Sequence, residues 1–303
     1  MSDAERERVA RVVRVAEDEP GSLLVLTGPT ASGKSAVAMA VAEAVGGEIV
    51  IADSVQLVRG FDIGSGKPTL AERAQIPHHL VDALDPLEDA DAARFAELAT
   101  AAIDDVAARG RRPILCGGTF LWIRALLYGL VDAPAADEGV RQAHRELAAR
   151  EGTTALHGLL RAVDPVAAMR LHPNDVLRVS RALEVFETTG QRLSELQAAH
   201  GFRSQTRPAR LFAITRTPEA LTERIQARVA TWLAGDWIPE TRALVERGYG
   251  GARAMSSVGY REVASHLRGE IARADLEGAI VRSTRVYARR QRTFLKQASV
   301  EWL

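Results

Sequence analysis

Gly28-Pro29-Thr30-Ala31-Ser32-Gly33-Lys34-Ser35 constrains this chain more than any other segment. It reads G-x-x-x-x-G-K-[ST], a loop whose backbone N–H groups cradle phosphates. Leu23 to Thr27 before it is a short apolar run, as in a strand buried on both faces. Ala36 to Ala44 after it reads as a helix. A strand that turns through glycines into a helix aims backbone donors and a helix N-terminus at one point, where a di- or triphosphate binds. The loop names a ligand class and leaves the reaction open.

The first half continues the alternation. Glu48–Ala52 reads as a second strand ending at Asp53, Ala92–Arg109 as a helix, Pro113–Cys116 as a third strand and Phe120–Tyr128 as a helix. Alternating strands and helices predict a doubly wound parallel sheet. The loop, Asp53 and Thr119 then lie just past strand C-termini, the edge where open α/β sheets bind ligands. From about Val131 to His200 the strand pattern stops, and residues 138–150, 153–162, 164–170 and 175–189 read as short helices. Arg210–Ile214 returns as a strand, and helices follow at 218–234, 237–247, 260–268 and 275–297. The expectation is an α/β, P-loop NTPase-like fold: an N-terminal extension over 1–21, a core over 22–130 and 205–303, and a helical insertion over 131–204.

The 303 residues carry no net charge, so no global field draws the chain to nucleic acid. The N-terminal stretch mixes Arg with Glu and Asp and lacks an apolar core, which argues against a secretory or organellar leader. One cysteine, Cys116, excludes a disulfide framework, and the cytoplasm is the expected compartment. No apolar run reaches the roughly 20 residues of a membrane span. Lysine occurs only as Lys34, Lys67 and Lys296, which makes Lys67 a suspect beside the loop lysine.

Asp53 can hold a magnesium shell or act as a base, or simply cap a helix. Gln56 offers a paired donor and acceptor that suits an adenine edge. Gly60 to Lys67 is a second glycine-rich loop, and His78-His79 reads as a structural pair, since adjacent side chains diverge. Thr119 offers a hydroxyl at a helix start. Arg224 and Arg228 share a helix face, with Arg216 upstream. The last helix carries Arg282, Arg285, Arg289, Arg290 and Arg292 with Tyr287 and Phe294 between them, a pattern suited to RNA backbone and base stacking.

The phosphate loop, Asp53-Ser54-x-Gln56, Asp62-Ile63-Gly64-x-x-Lys67-Pro68 and Pro77-His78-His79-Leu80-x-Asp82 occur in this order. Gly117-Gly118-Thr119, Arg178-x-x-Arg181-Ala182-Leu183-Glu184-Val185, Val258-Gly259-Tyr260-Arg261-Glu262 and Tyr287-Ala288-Arg289-Arg290-Gln291 follow. From Leu23 to Phe294 the chain resembles the bacterial tRNA dimethylallyltransferase (tRNA isopentenyltransferase) family. The resemblance implies transfer of a dimethylallyl group from its diphosphate to N6 of the adenine 3′ of a tRNA anticodon, position 37. It implies that Gly28, Thr30, Ala31, Ser32, Gly33, Lys34 and Ser35 hold the donor's diphosphate, with Mg2+ at Ser35. Asp53 matches the general base, Thr119 a hydroxyl near the bridging oxygen, and Arg224 an arginine on the diphosphate. Asp53, Ser54, Val55, Gln56, Arg141, Leu177, Arg178, Val179, Ser180, Arg181, Ser256, Ser257, Val258, Gly259, Tyr260 and Arg261 match segments that contact the tRNA anticodon stem-loop. The expected assembly is a monomer without a membrane partner.

The chain departs from the family pattern at Val58 and Trp122, where Tyr is usual or frequent, at Ser65-Gly66, and at Phe294, where Trp is common. The competing readings are a small-molecule or nucleotide kinase on the same loop and an NTP-switched RNA-binding module.

Overall fold

The computed structural model describes residues 2–89, 91–202 and 204–303. The chain forms two units, Met1–Leu127 with Gln205–Leu303, and Tyr128–Ser204. In the first, α1 (Asp3–Asp18), β1 (Leu23–Thr27), α2 (Lys34–Val45) and β2 (Gly47–Ile51) are followed by the short α3 (Leu70–Gln75) and β3 (His78–His79). Then come α4 (Ala92–Ala108), β4 (Arg112–Gly117) and α5 (Phe120–Tyr128). The second unit holds α6 (Glu138–Glu151), α7 (Thr153–Val163), α8 (Pro165–Arg170), α9 (Val176–Thr189) and α10 (Leu193–His200). The chain returns through β5 (Ala209–Ala213), α11 (Pro218–Ala234), α12 (Trp237–Glu246), α13 (Tyr260–Leu267), α14 (Arg273–Leu295) and β6 (Glu301–Trp302).

The strands form one parallel sheet in the order β3-β2-β4-β1-β5-β6. β1 is central and every residue in it is buried, which is why its sequence is a continuous apolar run rather than an alternation. Register sets the site. Thr27 pairs with Gly117, and Ile51 with Cys116. Gly28 and Gly118 lie one step past the first pair and Asp53 two steps past Ile51, so the three leave adjacent strands at one level. Strands stand about 4.8 Å apart, so three loops from distant parts of the sequence converge.

The doubly wound sheet is as expected. Two strands were not. β3 and β6 are two residues each, too short for any periodicity to show. The N-terminal extension is helical: α1 packs on α2 and buries Val12 and Ala16. The second unit has its own core of Leu156, Leu160, Ala167, Val179, Ala182 and Leu183. Helix α10, a further element of this unit, has only Ser194 buried, so its sequence lacks an apolar stripe.

Candidate active site

The phosphate loop is built by glycine where backbone geometry demands it. Gly28 and Gly33 have φ of 148° and 97°, and Ala31 is also left-handed at 63°. A side chain at Gly28 would also run into the Ile214 backbone of the neighbouring strand exit. Three arginines hold the loop. Arg216 Nε donates to the Ser32 carbonyl at 2.8 Å, and Arg224 Nε to the Ala31 carbonyl at 2.9 Å. The Arg228 guanidinium donates to Thr30 Oγ1 at 2.6 Å.

A cavity of about 470 Å³ opens beside the loop. Thr30, Lys34, Ser35, Asp53, Thr119 and Arg228 line its polar side, and Val55, Val58, Trp122, Trp232, Trp237 and Ile280 its apolar side. Burial pushes the Lys34 ammonium below its ordinary pKa, and the nearby Arg228 charge adds to this, while Cys116 and Asp53 oppose it. Burial likewise lowers Arg228 to about 10, with the Arg224 charge as a second cause. Its Nε is buried without a partner, and its guanidinium lies 4.7 Å over the Trp232 ring. Two desolvated cations with unspent donors make a site for a polyanion.

Asp53 Oδ1 accepts the N–H groups of Val55 and Gln56 at 3.0 and 3.3 Å. Its Oδ2 has no hydrogen-bond partner among the described residues, so one oxygen shapes the turn and the other remains available. Thr119 Oγ1 accepts the Ser54 N–H at 3.1 Å, which leaves its own proton to donate into the cavity. Tyr287 also lines the cavity, and burial together with Asp53 raises its phenol pKa, so it stays protonated.

Other expected residues are placed differently from one another. Gln56 Nε2 is spent on the Ser65 and Gly66 carbonyls at 3.0 and 3.1 Å, so its amide tethers the second glycine loop. Lys67 is no ligand-binding lysine. Its ammonium is bonded to Val58 O, Asp62 and Asp82, with the side chain 2% exposed. His78 bonds the Ile76 carbonyl and His79 bonds Glu48, a structural pair. Arg224 is exposed and does not line the cavity. Arg228, its partner one turn on, does.

Ser54, Ser256, Ser257 and Val258 line the same cavity as Asp53. Tyr260 does not present its ring: it is fully buried, and its hydroxyl donates to Glu240 at 2.6 Å. Gly259 has φ 98°, and a side chain there would strike the Trp237 ring. Arg261 is exposed. In the helical unit, Leu177 and Arg178 are exposed, whereas Val179 and Ser180 are buried. Arg141 and Arg181 both bond the buried Glu184 carboxylate, at 3.1 and 2.8 Å. The sequence reading missed Trp232, Trp237 and Gln291 as cavity residues. Tyr287 and Gln291 are four apart on one helix, a spacing that places them on one face.

Residues 56–298 match the IPP transferase family. The chain belongs to the IPP transferase family. The tRNA dimethylallyltransferase of Sorangium cellulosum is 56% identical over 289 residues, covering 95% of this chain and 92% of that protein. The tRNA isopentenylpyrophosphate transferase of Bacillus halodurans is 33% identical, with a TM-score of 0.69 over 93% of this chain and 89% of its own. A eukaryotic dimethylallyltransferase solved acting on tRNA has a TM-score of 0.76 at 26% identity, over 93% of this chain and 73% of its own. As an IPP transferase, the chain carries its phosphate loop on a prenyl-transfer scaffold and not a kinase one. No helix among the described residues is long and apolar enough to cross a membrane.

Proposed function

We propose that this chain transfers a dimethylallyl group from dimethylallyl diphosphate to N6 of the adenine 3′ of the anticodon in tRNA. Family membership supports the reaction class. The observation that carries the assignment of roles is that Lys34, Arg228, phosphate-loop residues and Asp53 line one and the same cavity.

The chemistry needs both poles. An exocyclic adenine amine is a weak nucleophile because its lone pair is delocalised. Its nitrogen forms the new bond to C1 of the donor, the C1–O bond breaks, and the diphosphate leaves with the electron pair. Asp53 accepts the N6 proton. Charge grows on the diphosphate as the bond breaks, and Lys34, Arg228, the loop N–H groups and the Thr119 hydroxyl stabilise it. Arg224 supports this from outside, by fixing the Ala31 carbonyl. The target base leaves its stack to reach such a pocket, and Ser256, Ser257 and Val258 form the wall it meets.

Oxygen donors at the loop suit magnesium, which takes one or two protein oxygens and fills its shell with phosphate and water. Ser35 supplies such a donor, and no cluster of three or more His, Cys, Asp or Glu stands among the described residues to favour another metal. When bound, the ion would neutralise charge on the leaving diphosphate. In the helical unit, Arg141, Leu177, Arg178 and Arg181 are read as tRNA contacts. The chain is read as a monomer acting in the cytoplasm.

The test is incubation with dimethylallyl diphosphate and tRNA without ATP, followed by mass analysis of the digested RNA. A dimethylallyl adduct on the adenine next to the anticodon is expected. Strict dependence on ATP hydrolysis would instead favour a kinase.

A further inference from the structure

Gln291 lies on α14 and is 9% exposed. Its amide spans two loops. Oε1 accepts the Thr30 N–H of the phosphate loop at 2.8 Å, and Nε2 donates to the Gly118 carbonyl at 3.0 Å. The partners dictate the amide's orientation, because an N–H requires the oxygen and a carbonyl requires the nitrogen. An ionised glutamate offers only acceptors, and methionine has the length without the amide.

The two loops are the ones that carry the reaction. Thr30 precedes Lys34 and Ser35, and Gly118 precedes Thr119. Gly118 is a glycine for room: its φ is not in the left-handed region. A methyl at its Cα would stand 2.6 Å from Gln291 Nε2, 3.6 Å from the Gly28 carbonyl and 3.7 Å from Lys34 Nζ. The Gln291 amide thus occupies the space a side chain at 118 would need. Gln291 also takes up one loop N–H, at Thr30, so that donor serves the loop's shape and not the anion.

We propose that Gln291 is a positioning residue: it fixes the separation between the phosphate loop and Thr119, and thereby the geometry around the leaving diphosphate. This rests on the transferase reading above. A misplacement of about 1 Å in such a site costs about 10²-fold in rate.

The experiment compares wild type, Gln291→Met, Gly118→Ala, Gln291→Ala and the Gln291→Ala/Gly118→Ala double variant. Steady-state transfer is measured with the donor and the tRNA varied in turn. Binding of inorganic diphosphate and thermal unfolding are measured on the same proteins. Gln291→Met is expected to lower kcat by about 10²-fold and to weaken diphosphate binding by about tenfold, with the KM for tRNA unchanged. Gly118→Ala is expected to be costly alone and nearly neutral in the Gln291→Ala background, since the clash partner is gone. A wild-type kcat in Gln291→Met overturns the proposal. So does a strictly additive double variant whose lost activity only follows lost folded protein. If wild type itself transfers nothing, the function reading fails, and the clamp is then judged on diphosphate binding: unchanged affinity in Gln291→Met overturns it, and weakened affinity with a non-additive cycle supports it.

Discussion

Arg216 joins Glu5 at 2.8 Å across 211 positions of sequence. The same guanidinium holds the Ser32 carbonyl through Nε, also at 2.8 Å. The first helix is therefore connected to the phosphate loop through one side chain. Glu5 itself is held below the usual carboxylate range, first by the Ser2 backbone N–H and also by Arg216, against the opposing effect of burial. Arg216→Met is expected to weaken inorganic diphosphate binding by about tenfold, because the loop loses a fixed carbonyl. Glu5→Gln, which keeps an oxygen acceptor, should cost less. Calorimetric titration of both variants checks the order; equal affinities in all three proteins would remove the connection from the site's function.

Asp53 supports the turn with one oxygen and leaves the other open, so the two roles can be separated. Asp53→Asn keeps an acceptor for the Val55 and Gln56 N–H groups and removes the base. Transfer is expected to fall by about 10² or more, with tRNA affinity nearly intact. Single-turnover rates and a binding titration on one preparation decide it. Near-normal turnover would assign the proton to another acceptor.

Lys67 is a buried pin between the loop that follows β2 and the one that follows β3. Lys67→Met leaves the Asp62 carboxylate and the Val58 carbonyl without their cation, while Asp82 keeps Arg73 at 3.1 Å. Because the Asp62 side chain is 58% exposed and only the lysine is buried, the loss is expected to be about 1–2 kcal/mol, below that of a fully buried pair. Urea unfolding should show the loss as a lower midpoint at an unchanged slope.

Glu48 gives the fold an acid-side signature. The Arg109 guanidinium, and then His79, hold its carboxyl at about 2, against an ordinary value of 4.5 and despite the opposing effect of burial. A carboxylate depressed in the folded state contributes its full stability above about pH 4.5 and loses it as pH falls towards about 2. Wild type should lose stability across that window. Glu48→Gln should start less stable at pH 7 and show a flatter slope there. Identical slopes in chemical denaturation at several pH values would contradict the assignment.

Arg282, Arg285, Arg289 and Arg290 are exposed on α14 although the whole chain is neutral. If this face meets RNA phosphates, Arg289→Ala with Arg290→Ala should weaken tRNA binding and flatten the dependence of log affinity on log salt by about one to two units. Donor affinity should not move. Matching salt slopes in the two proteins would leave these arginines as a solvated face.

The sequence by itself determined the four longer strands of the sheet, the loop and the family. β1 reads as a continuous apolar run because it is buried on both faces, and the glycines at 28 and 33 are required by local dihedrals. Such signals are local, so they survive in one dimension. Helices α6 to α9 of the second unit were legible for the same reason, through Gly152, Pro165 and Gly190 at their boundaries. What only the tertiary structure decided was which groups spend their donors on the protein itself. Lys34 and Lys67 both follow a glycine, yet one faces a cavity and the other is closed in by three acceptors. Arg224 and Arg228 share a helix face in sequence, but of the two only Arg228 lines the cavity, while Arg224 is exposed. Gln291 gains its role from loops 173 and 261 positions away. Hydrogen-bond partners at such separations are set by how strands pair and helices pack, and no local pattern encodes them.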